Sequence, residues 1–162
     1  MAEGTATRDL ATDFAEQLGL GRPLHWRLEG VGPGAAAYVV SRLLHACERP
    51  TLLVTPDSRA ADELTVGLQT LLGERPDEGF LQRRIHCLPA RDAPPLELVS
   101  PPPEIEAGRT AALYQLATNP RAIVVASVDS VFARALPRER LLERSLDPVS
   151  YTHLTLPTKR IV

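Results

Sequence analysis

The sequence predicts an α/β fold in which a parallel sheet is covered by helices on both faces. Short apolar runs alternate along the chain with longer segments of helical periodicity. The apolar runs, such as residues 51–55 and 121–127, lack the polar alternation of half-exposed strands, as expected of strands buried on both faces. The chain has 162 residues, of which 44% are hydrophobic, and this is enough for one such domain.

The N-terminal part predicts a helix, a strand and a second helix, in that order. Leu10, Phe14 and Leu18 recur every four residues, which is the spacing of an amphipathic helix, and glycines follow them. Residues 24–31 have the composition of a strand and lead into a turn rich in glycine and proline. Residues 35–48 are rich in alanine and leucine, which favour a helix. We therefore expect a strand–turn–helix unit here.

The next segment predicts a strand followed by a well-delimited helix. Residues 51–55 form a short strand of the buried type, and a proline–aspartate turn follows. Ser58 is a candidate N-cap for a helix over residues 59–72. Gly73 is expected to end this helix, because glycine readily adopts the left-handed conformation found at helix ends.

The C-terminal part predicts two further strands. Residues 83–89 form the third strand, and residues 91–103 form a proline-rich connector that is neither interior strand nor helix. Residues 104–117 form a helix with acidic residues in its first turn, where the helix dipole favours them. Residues 121–127 form the fourth strand, and residues 128–145 contain one or two helices around a proline. This alternation favours a parallel sheet.

The turn after the first predicted strand lies where an open α/β sheet commonly binds phosphate. A working triphosphate loop reads Gly-x-x-x-x-Gly-Lys-Ser/Thr, in which the lysine neutralises phosphate and the hydroxyl holds Mg²⁺. Alanines replace the last three of these residues, so we expect no bound cofactor, no ATP hydrolysis and at most weak anion binding. The alternative is a tight turn that opens a helix. The degenerate loop comprises Gly30, Gly32, Gly34, Ala35, Ala36 and Ala37.

The charged residues and cysteines restrict the possible partners and the compartment. All 20 acidic residues precede Pro148, but only 16 of the 18 basic residues do, and those 16 are all arginine. A mildly acidic body without lysine is a poor candidate for binding nucleic-acid phosphates. The sequence has no apolar run of membrane-spanning length and no export signal at its start. Its two cysteines also lack the spacing of a metal-binding pair, and together these features predict a cytoplasmic protein.

The composition changes abruptly at Val149. Residues 149–162 contain the only lysine of the chain and have no alanine, glycine or acidic residue. This segment resembles one reading frame through the transposase end sequence of sequencing-library adapters. We therefore divide the chain into residues 1–148, an incomplete α/β subdomain, and residues 149–162, a non-native tail derived from an adapter. The alternative is that the tail forms a genuine short strand.

The histidines and cysteines do not indicate a metal or catalytic site. His25, His45 and His86 lack the spacing of metal ligands, such as two histidines four residues apart on a helix. Cys47 and Cys87 are expected to be buried as small apolar groups. We therefore predict no catalytic residue and no metal site.

The remaining charged and proline-rich features have both structural and functional interpretations. Asp57 and Asp62 are explained by a helix cap and a solvated helix face. Arg83 and Arg84 fit the exposed start of a strand, although they could also contact DNA or a protein partner. The connector at residues 91–103 is either a stiff crossover or an extended surface that a partner could bind.

Several segments, taken in order, resemble the N-terminal module of bacterial transcription-repair coupling factors. That module is itself similar to the damage-verifying B subunit of the nucleotide-excision nuclease. The segment at residues 85–116 is the most specific, because it contains the family's Pro-x-x-x-x-Ser-Pro-x-Pro and Arg-x-x-x-Leu patterns. The resemblance implies a RecA-like sheet with a degenerate phosphate loop. The segments are LEGVGPGAAA, TLLVTPDSRAADEL, IHCLPARDAPPLELVSPPPEIEAGRTAALYQL and RAIVVASVDSVFARALP.

Two departures favour the coupling factors over the B subunit. The B subunit has Gly-Lys-Thr in place of the three alanines, and it has a tyrosine-rich hairpin that grips DNA. No aromatic residue lies between Pro89 and Glu104 in this chain. In the parent protein the resemblance implies an ATP-dependent DNA translocase that displaces stalled RNA polymerase and recruits the excision nuclease.

Most partners of the parent would bind outside this segment. The motor with its ATP and Mg²⁺, and the main contacts with RNA polymerase, the excision nuclease A subunit and double-stranded DNA, lie downstream in the family. The chain itself is then expected to be a non-hydrolysing scaffold without direct nucleic-acid binding. Two alternatives are a stand-alone α/β interaction module and an active P-loop ATPase or helicase domain whose phosphate loop lies elsewhere in the sequence.

Overall fold

The computed structural model of the chain describes residues 10–19, 25, 27–45, 49–75, 79, 82–91 and 102–144. This part of the chain alternates between helices and short strands. The strands are β1 (Thr51–Thr55), β2 (Ile85–Leu88) and β3 (Ile123–Ser127). The helices are α1 (Leu10–Gly19), α2 (Pro33–His45), α3 (Ser58–Leu72), α4 (Pro103–Thr118), α5 (Val128–Phe132) and α6 (Arg138–Arg144).

The strands form a parallel sheet in the order β1–β3–β2. Ile123 at the start of β3 lies opposite Thr51 on one side and Ile85 on the other. All five residues of β3 are buried, as expected for a central strand of a parallel sheet. The predicted α/β class and the parallel sheet are confirmed.

Helices pack on both faces of this sheet, as predicted. Ile123 and Val125 of β3 face one side and join an apolar cluster with α2 and α3. Val124 and Ala126 face the other side and pack with α4. This two-sided burial of alternate residues follows from the period of two along a strand. The buried partners are Leu44, Ala61, Leu68 and Ile85 in the first cluster, and Leu88 and Ala112 in the second.

Helix α3 begins and ends through local chemistry at its termini. The N-cap is Asp57, whose Oδ1 accepts a hydrogen bond of 2.8 Å from the main-chain N–H of Ala60. The suggestion that Ser58 is the cap is wrong by one residue, because Asp57 has the extended backbone that a cap requires and Ser58 is already helical. Gly73 ends the helix with a left-handed φ of 73°, as predicted.

The predicted first strand, residues 24–31, is not a strand in the described residues. His25 and the segment 27–29 are irregular and exposed. Arg27 and Glu29 form an ion pair of 3.0 Å in solvent instead of alternating across a sheet. Strand-like composition forms a strand only when the main-chain groups pair with a neighbour, and no described strand pairs with this segment.

The other element predictions hold with shifted boundaries. β2 and β3 each begin two residues after the predicted start, and α2 begins earlier, at Pro33, where a proline suits the first helical turn. The segment at 128–145, for which one or two helices were predicted, contains the two helices α5 and α6 on either side of Pro137. Residues 145–162, with the proposed tail, residues 92–101 of the connector, and Cys47 lie outside the described residues.

Candidate functional site

The degenerate phosphate loop forms the exposed start of helix α2. Gly30 has a positive φ of 75°, a conformation that glycine adopts without strain. The main-chain N–H of Ala35 donates to the carbonyl of Gly32 at 2.9 Å, which closes the first turn. Gly30, Gly32, Gly34 and Ala35 are exposed. The loop therefore has the turn geometry predicted for it, but it does not follow a strand within the described residues.

Ala37, the last residue of the degenerate loop, lies in a helix–helix contact. A Cβ atom placed on Gly67 of α3 would lie 2.9 Å from the Cβ of Ala37. Such a distance shows that α2 and α3 approach each other closely at this point. The space between the helices fits the methyl group of Ala37 and only the hydrogen of Gly67. Ala37 is half-buried there. In a working phosphate loop this position carries the hydroxyl that binds Mg²⁺. Here it is an alanine whose methyl group packs against α3.

A second candidate site is a cavity of about 160 Å³ at the carboxyl ends of the strands, here called the carboxyl-edge cavity. This edge of a parallel sheet is where ligands commonly bind in α/β folds. Residues from α3, β2, α4, β3 and α5 meet there. The cavity-lining residues include Ser58, Asp62, Cys87, Ile105, Ser127 and Ser130.

The two buried serines of the carboxyl-edge cavity are bonded to each other. Their hydroxyl oxygens lie 2.7 Å apart. The main-chain N–H of Ser130 also donates to Ser127 Oγ at 3.2 Å, so that Ser127 caps helix α5. The serine pair is thus engaged mainly in holding the start of α5 against the end of β3.

Cys87 is a protonated thiol at neutral pH. Its Sγ lies 3.6 Å from Asp62 Oδ1, to which it donates a weak hydrogen bond. Burial and, after it, the negative charge of Asp62 together raise the pKa of Cys87 to about 11. A thiol with this pKa has very little thiolate at pH 7 and is a poor nucleophile. Cys87 was expected to be buried as a small apolar group; it is half-buried and lies against the Asp62 carboxylate.

Arg109 is a buried arginine for which the sequence predicted no role. The residue is 3% exposed, and its guanidinium donates to the carbonyl of Pro89 at 2.6 Å and to that of Ser130 at 3.2 Å. Burial lowers the pKa of Arg109, and the positive charge of Arg91 lowers it further. Arg91 is itself held by two hydrogen bonds to Glu106, of 2.7 and 3.0 Å. In the sequence, Arg109 is the arginine of the Arg-x-x-x-Leu pattern that contributes to the family resemblance, and that resemblance assigned it no role.

The three candidate histidines occupy unrelated environments. His86 is buried, and its Nε2 lies 3.0 Å from the carbonyl oxygen of Arg83. Burial lowers the pKa of His86 below its usual value. His25 and His45 are exposed. Across the described ranges, no group of three metal-ligating side chains is close enough to hold an ion, and no helix there combines the length and apolar character needed to cross a bilayer.

The described polar groups of the carboxyl edge act mainly on the main chain. Asp57 caps α3, Ser127 caps α5, and Arg109 binds two carbonyls. These hydrogen bonds fix the ends of the helices and strands relative to one another.

Comparison with known proteins gives no relative. The chain matches no protein-family model, no curated protein and no solved structure. The interpretation of both candidate sites therefore depends on their own residues.

Proposed function

We propose that the chain is a non-hydrolysing scaffold module and that its parent is a transcription-repair coupling factor. The observation that carries the first part is the contact between Ala37 and Gly67. A residue packed between two helices is not available to bind Mg²⁺ or phosphate. The loop forms the exposed start of α2, and its last residue, Ala37, packs closely against α3.

The carboxyl edge of the sheet supports the same proposal. In nucleotide-binding α/β proteins this edge supplies the polar groups that contact the ligand. Here Arg109, the buried cation of this edge, donates to the carbonyls of Pro89 and Ser130. A guanidinium held in this way stabilises the junction of α4 with the strand ends and contributes to a rigid platform.

The second part of the proposal, the parent protein, follows from the sequence patterns quoted above. On this proposal the sheet is part of a RecA-like subdomain, and the parent is a cytoplasmic, ATP-dependent DNA translocase. It would displace stalled RNA polymerase and recruit the excision nuclease through its A subunit. ATP, Mg²⁺ and DNA would bind to its other domains.

Two experiments test the two parts separately. An equilibrium titration of the chain with a fluorescent ATP analogue and Mg²⁺ tests the scaffold role. We expect no saturable binding in the micromolar range, and micromolar affinity would contradict the proposal. Genomic sequence downstream of the codon for Asp147 tests the parent. We expect it to encode helicase motifs, and a frame that ends without them would contradict that part.

A stand-alone interaction module is the second candidate function. It is favoured by apolar side chains on the surface of the described residues, above all Phe132, which is 85% exposed, and Leu136, which is 45% exposed. Clustered exposed apolar residues commonly mark protein-binding surfaces. The same genomic sequence distinguishes this candidate, because a stand-alone module would not continue into a motor.

A further inference from the structure

Strand β1 has one edge that no other described strand occupies. It pairs with β3 on one side and is the last strand of the described sheet on the other. The main-chain N–H of Thr51 donates to the carbonyl of Ala122 at 2.8 Å, on the β3 side. Successive residues of a strand direct their main-chain groups to opposite edges, so those of Leu52 and Val54 point to the open edge.

The side chains of the same two residues are apolar and exposed. Leu52 is 44% exposed and Val54 is 54% exposed. They lie on the α4 side of the sheet, where α4 packs mainly on β2 and β3. β1 contains no charged residue. Natural proteins usually protect an edge strand with charges, prolines or bulges, and none of these lies within Thr51–Thr55.

The sequence around β1 has an approximate two-fold symmetry about Leu53. The segment reads Arg-Pro-Thr-Leu-Leu-Val-Thr-Pro-Asp from Arg49 to Asp57. Read in reverse, it again gives proline, threonine and apolar residues at the same positions. Only the charges at its two ends exchange sign.

We propose that β1 pairs with β1 of a second copy of this chain, antiparallel and centred on Leu53. In this register Leu52 lies opposite Val54 of the second copy, and the reverse pair forms on the other side of the axis. A two-fold axis makes the contact self-complementary and closes it at a dimer. The two three-stranded sheets then join into one continuous sheet.

The direction of the main-chain groups fits this register. Because the groups of Leu52 and Val54 point to the open edge, each opposing Leu52–Val54 pair exchanges two hydrogen bonds, which gives four in the dimer. Leu53 then meets its own copy as a pair without hydrogen bonds. If the register shifted by one residue in either direction, main-chain groups that point to β3 would lie opposite groups that point to the open edge. The four hydrogen bonds would then be lost.

The side chains and charges fit it as well. Leu and Val in direct cross-strand contact stabilise a sheet, and the exposed apolar side chains of both copies would cover one another. Arg49 comes to the same end of the ladder as Asp57 of the second copy, and both residues are exposed. The flanking prolines limit the ladder to five residues. A second copy thus complements the edge in hydrogen bonding, apolar contact and charge.

Sedimentation equilibrium of the full chain over a wide concentration range tests this proposal. We expect a mass of twice the 17.6 kDa chain at high concentration. Val54→Pro removes the Val54 N–H, which points to the open edge, and leaves the hydrogen bonds between β1 and β3 intact. The dimer affinity should therefore fall by more than about tenfold. Val54→Thr keeps that N–H and should leave a dimer. Circular dichroism checks that each variant is folded.

Leu52→Lys is a second variant in case Val54→Pro does not fold, and it should also weaken the dimer by placing two cations in the apolar contact. Val66→Lys is the matched control, since Val66 is 62% exposed on α3 and its change should have no effect. A single-chain mass at all concentrations would overturn the proposal. A dimer that persists in folded Val54→Pro or Leu52→Lys would also overturn it. So would a monomer in which the Leu52 and Val54 amides resist hydrogen exchange, because another part of the same chain would then cover the edge of β1.

Discussion

Arg109 of α4 and Pro89, the residue directly after β2, are joined by a hydrogen bond of 2.6 Å from the guanidinium to the main-chain carbonyl. The other terminal nitrogen of Arg109 donates to the carbonyl of Ser130 in α5 at 3.2 Å. One buried side chain therefore connects α4 to the chain segments that leave two neighbouring strands. The contact determines how the carboxyl edge of the sheet is assembled.

Replacing Arg109 by methionine should destabilise the fold. The apolar side chain fills much of the same space but leaves two carbonyl oxygens without their donors, and each such loss costs about 1–3 kcal/mol. We expect the free energy of unfolding in urea to fall by about 2–4 kcal/mol. Arg134→Met is the control, because Arg134 is exposed and its change should stay within about 0.5 kcal/mol. Equal effects of the two variants would contradict this role.

Gly67→Ala should lower the thermal unfolding midpoint, although alanine normally stabilises a helix by up to about 1 kcal/mol relative to glycine. The new Cβ would lie 2.9 Å from the Cβ of Ala37 and force α2 away from α3. Gly34→Ala is the control, since a Cβ there meets nothing within 4 Å, and it should not destabilise. Because the two Cβ atoms would be so close, adding Ala37→Gly to Gly67→Ala should restore part of the lost unfolding midpoint. Additive effects would argue against it.

Cys87 should react slowly with iodoacetamide at neutral pH. The thiol has a pKa of about 11 because of burial and the nearby Asp62, so the reactive thiolate is scarce. In a Cys47→Ser background the rate should keep rising as the pH approaches 11. Asp62→Asn should lower the pKa of the thiol and speed the reaction at pH 8, whereas Glu63→Gln on the exposed face should not. A rate that levels off near pH 9 would contradict the assignment.

His86 should make stability depend on pH on the acidic side. Its pKa in the folded protein lies below the ordinary value of 6.5, because burial disfavours the imidazolium. The unfolded chain therefore binds a proton that the folded chain does not, and stability is lost as the pH falls below 6.5. Urea unfolding at pH 7.5 and 5.5 should show this loss of stability in the unsubstituted chain. His86→Leu should reduce the loss, and His45→Leu, at an exposed position, should not.

Much of the fold was predictable because it depends on local signals. Gly73 ends α3 because glycine accepts the left-handed conformation, and that preference is visible in the sequence. The continuous apolar run of β3 likewise predicted its complete burial. The N-cap of α3 was misplaced by one residue, since Asp57 and Ser58 are both good caps and only the backbone decides between them.

The errors and omissions concern relations between distant segments. Residues 24–31 have the composition of a strand, but a strand also needs a neighbour, and composition does not report whether one is present. The Arg-x-x-x-Leu pattern marks Arg109 without giving it a role, because the role depends on the fold bringing the carbonyls of Pro89 and Ser130 to it. The close contact of Ala37 with Gly67 likewise depends on how α2 lies against α3.

The most direct test of the proposed scaffold role is an amide NMR titration of the chain with Mg²⁺ and ATP. The resonances to follow are those of Gly32, which directly precedes α2, and of Gly34 and Ala35 in its first turn. We predict that they do not shift in a saturable way at micromolar nucleotide. Saturable shifts confined to these amides, with a micromolar dissociation constant, would show that the three alanines do not abolish nucleotide binding and would contradict the proposal.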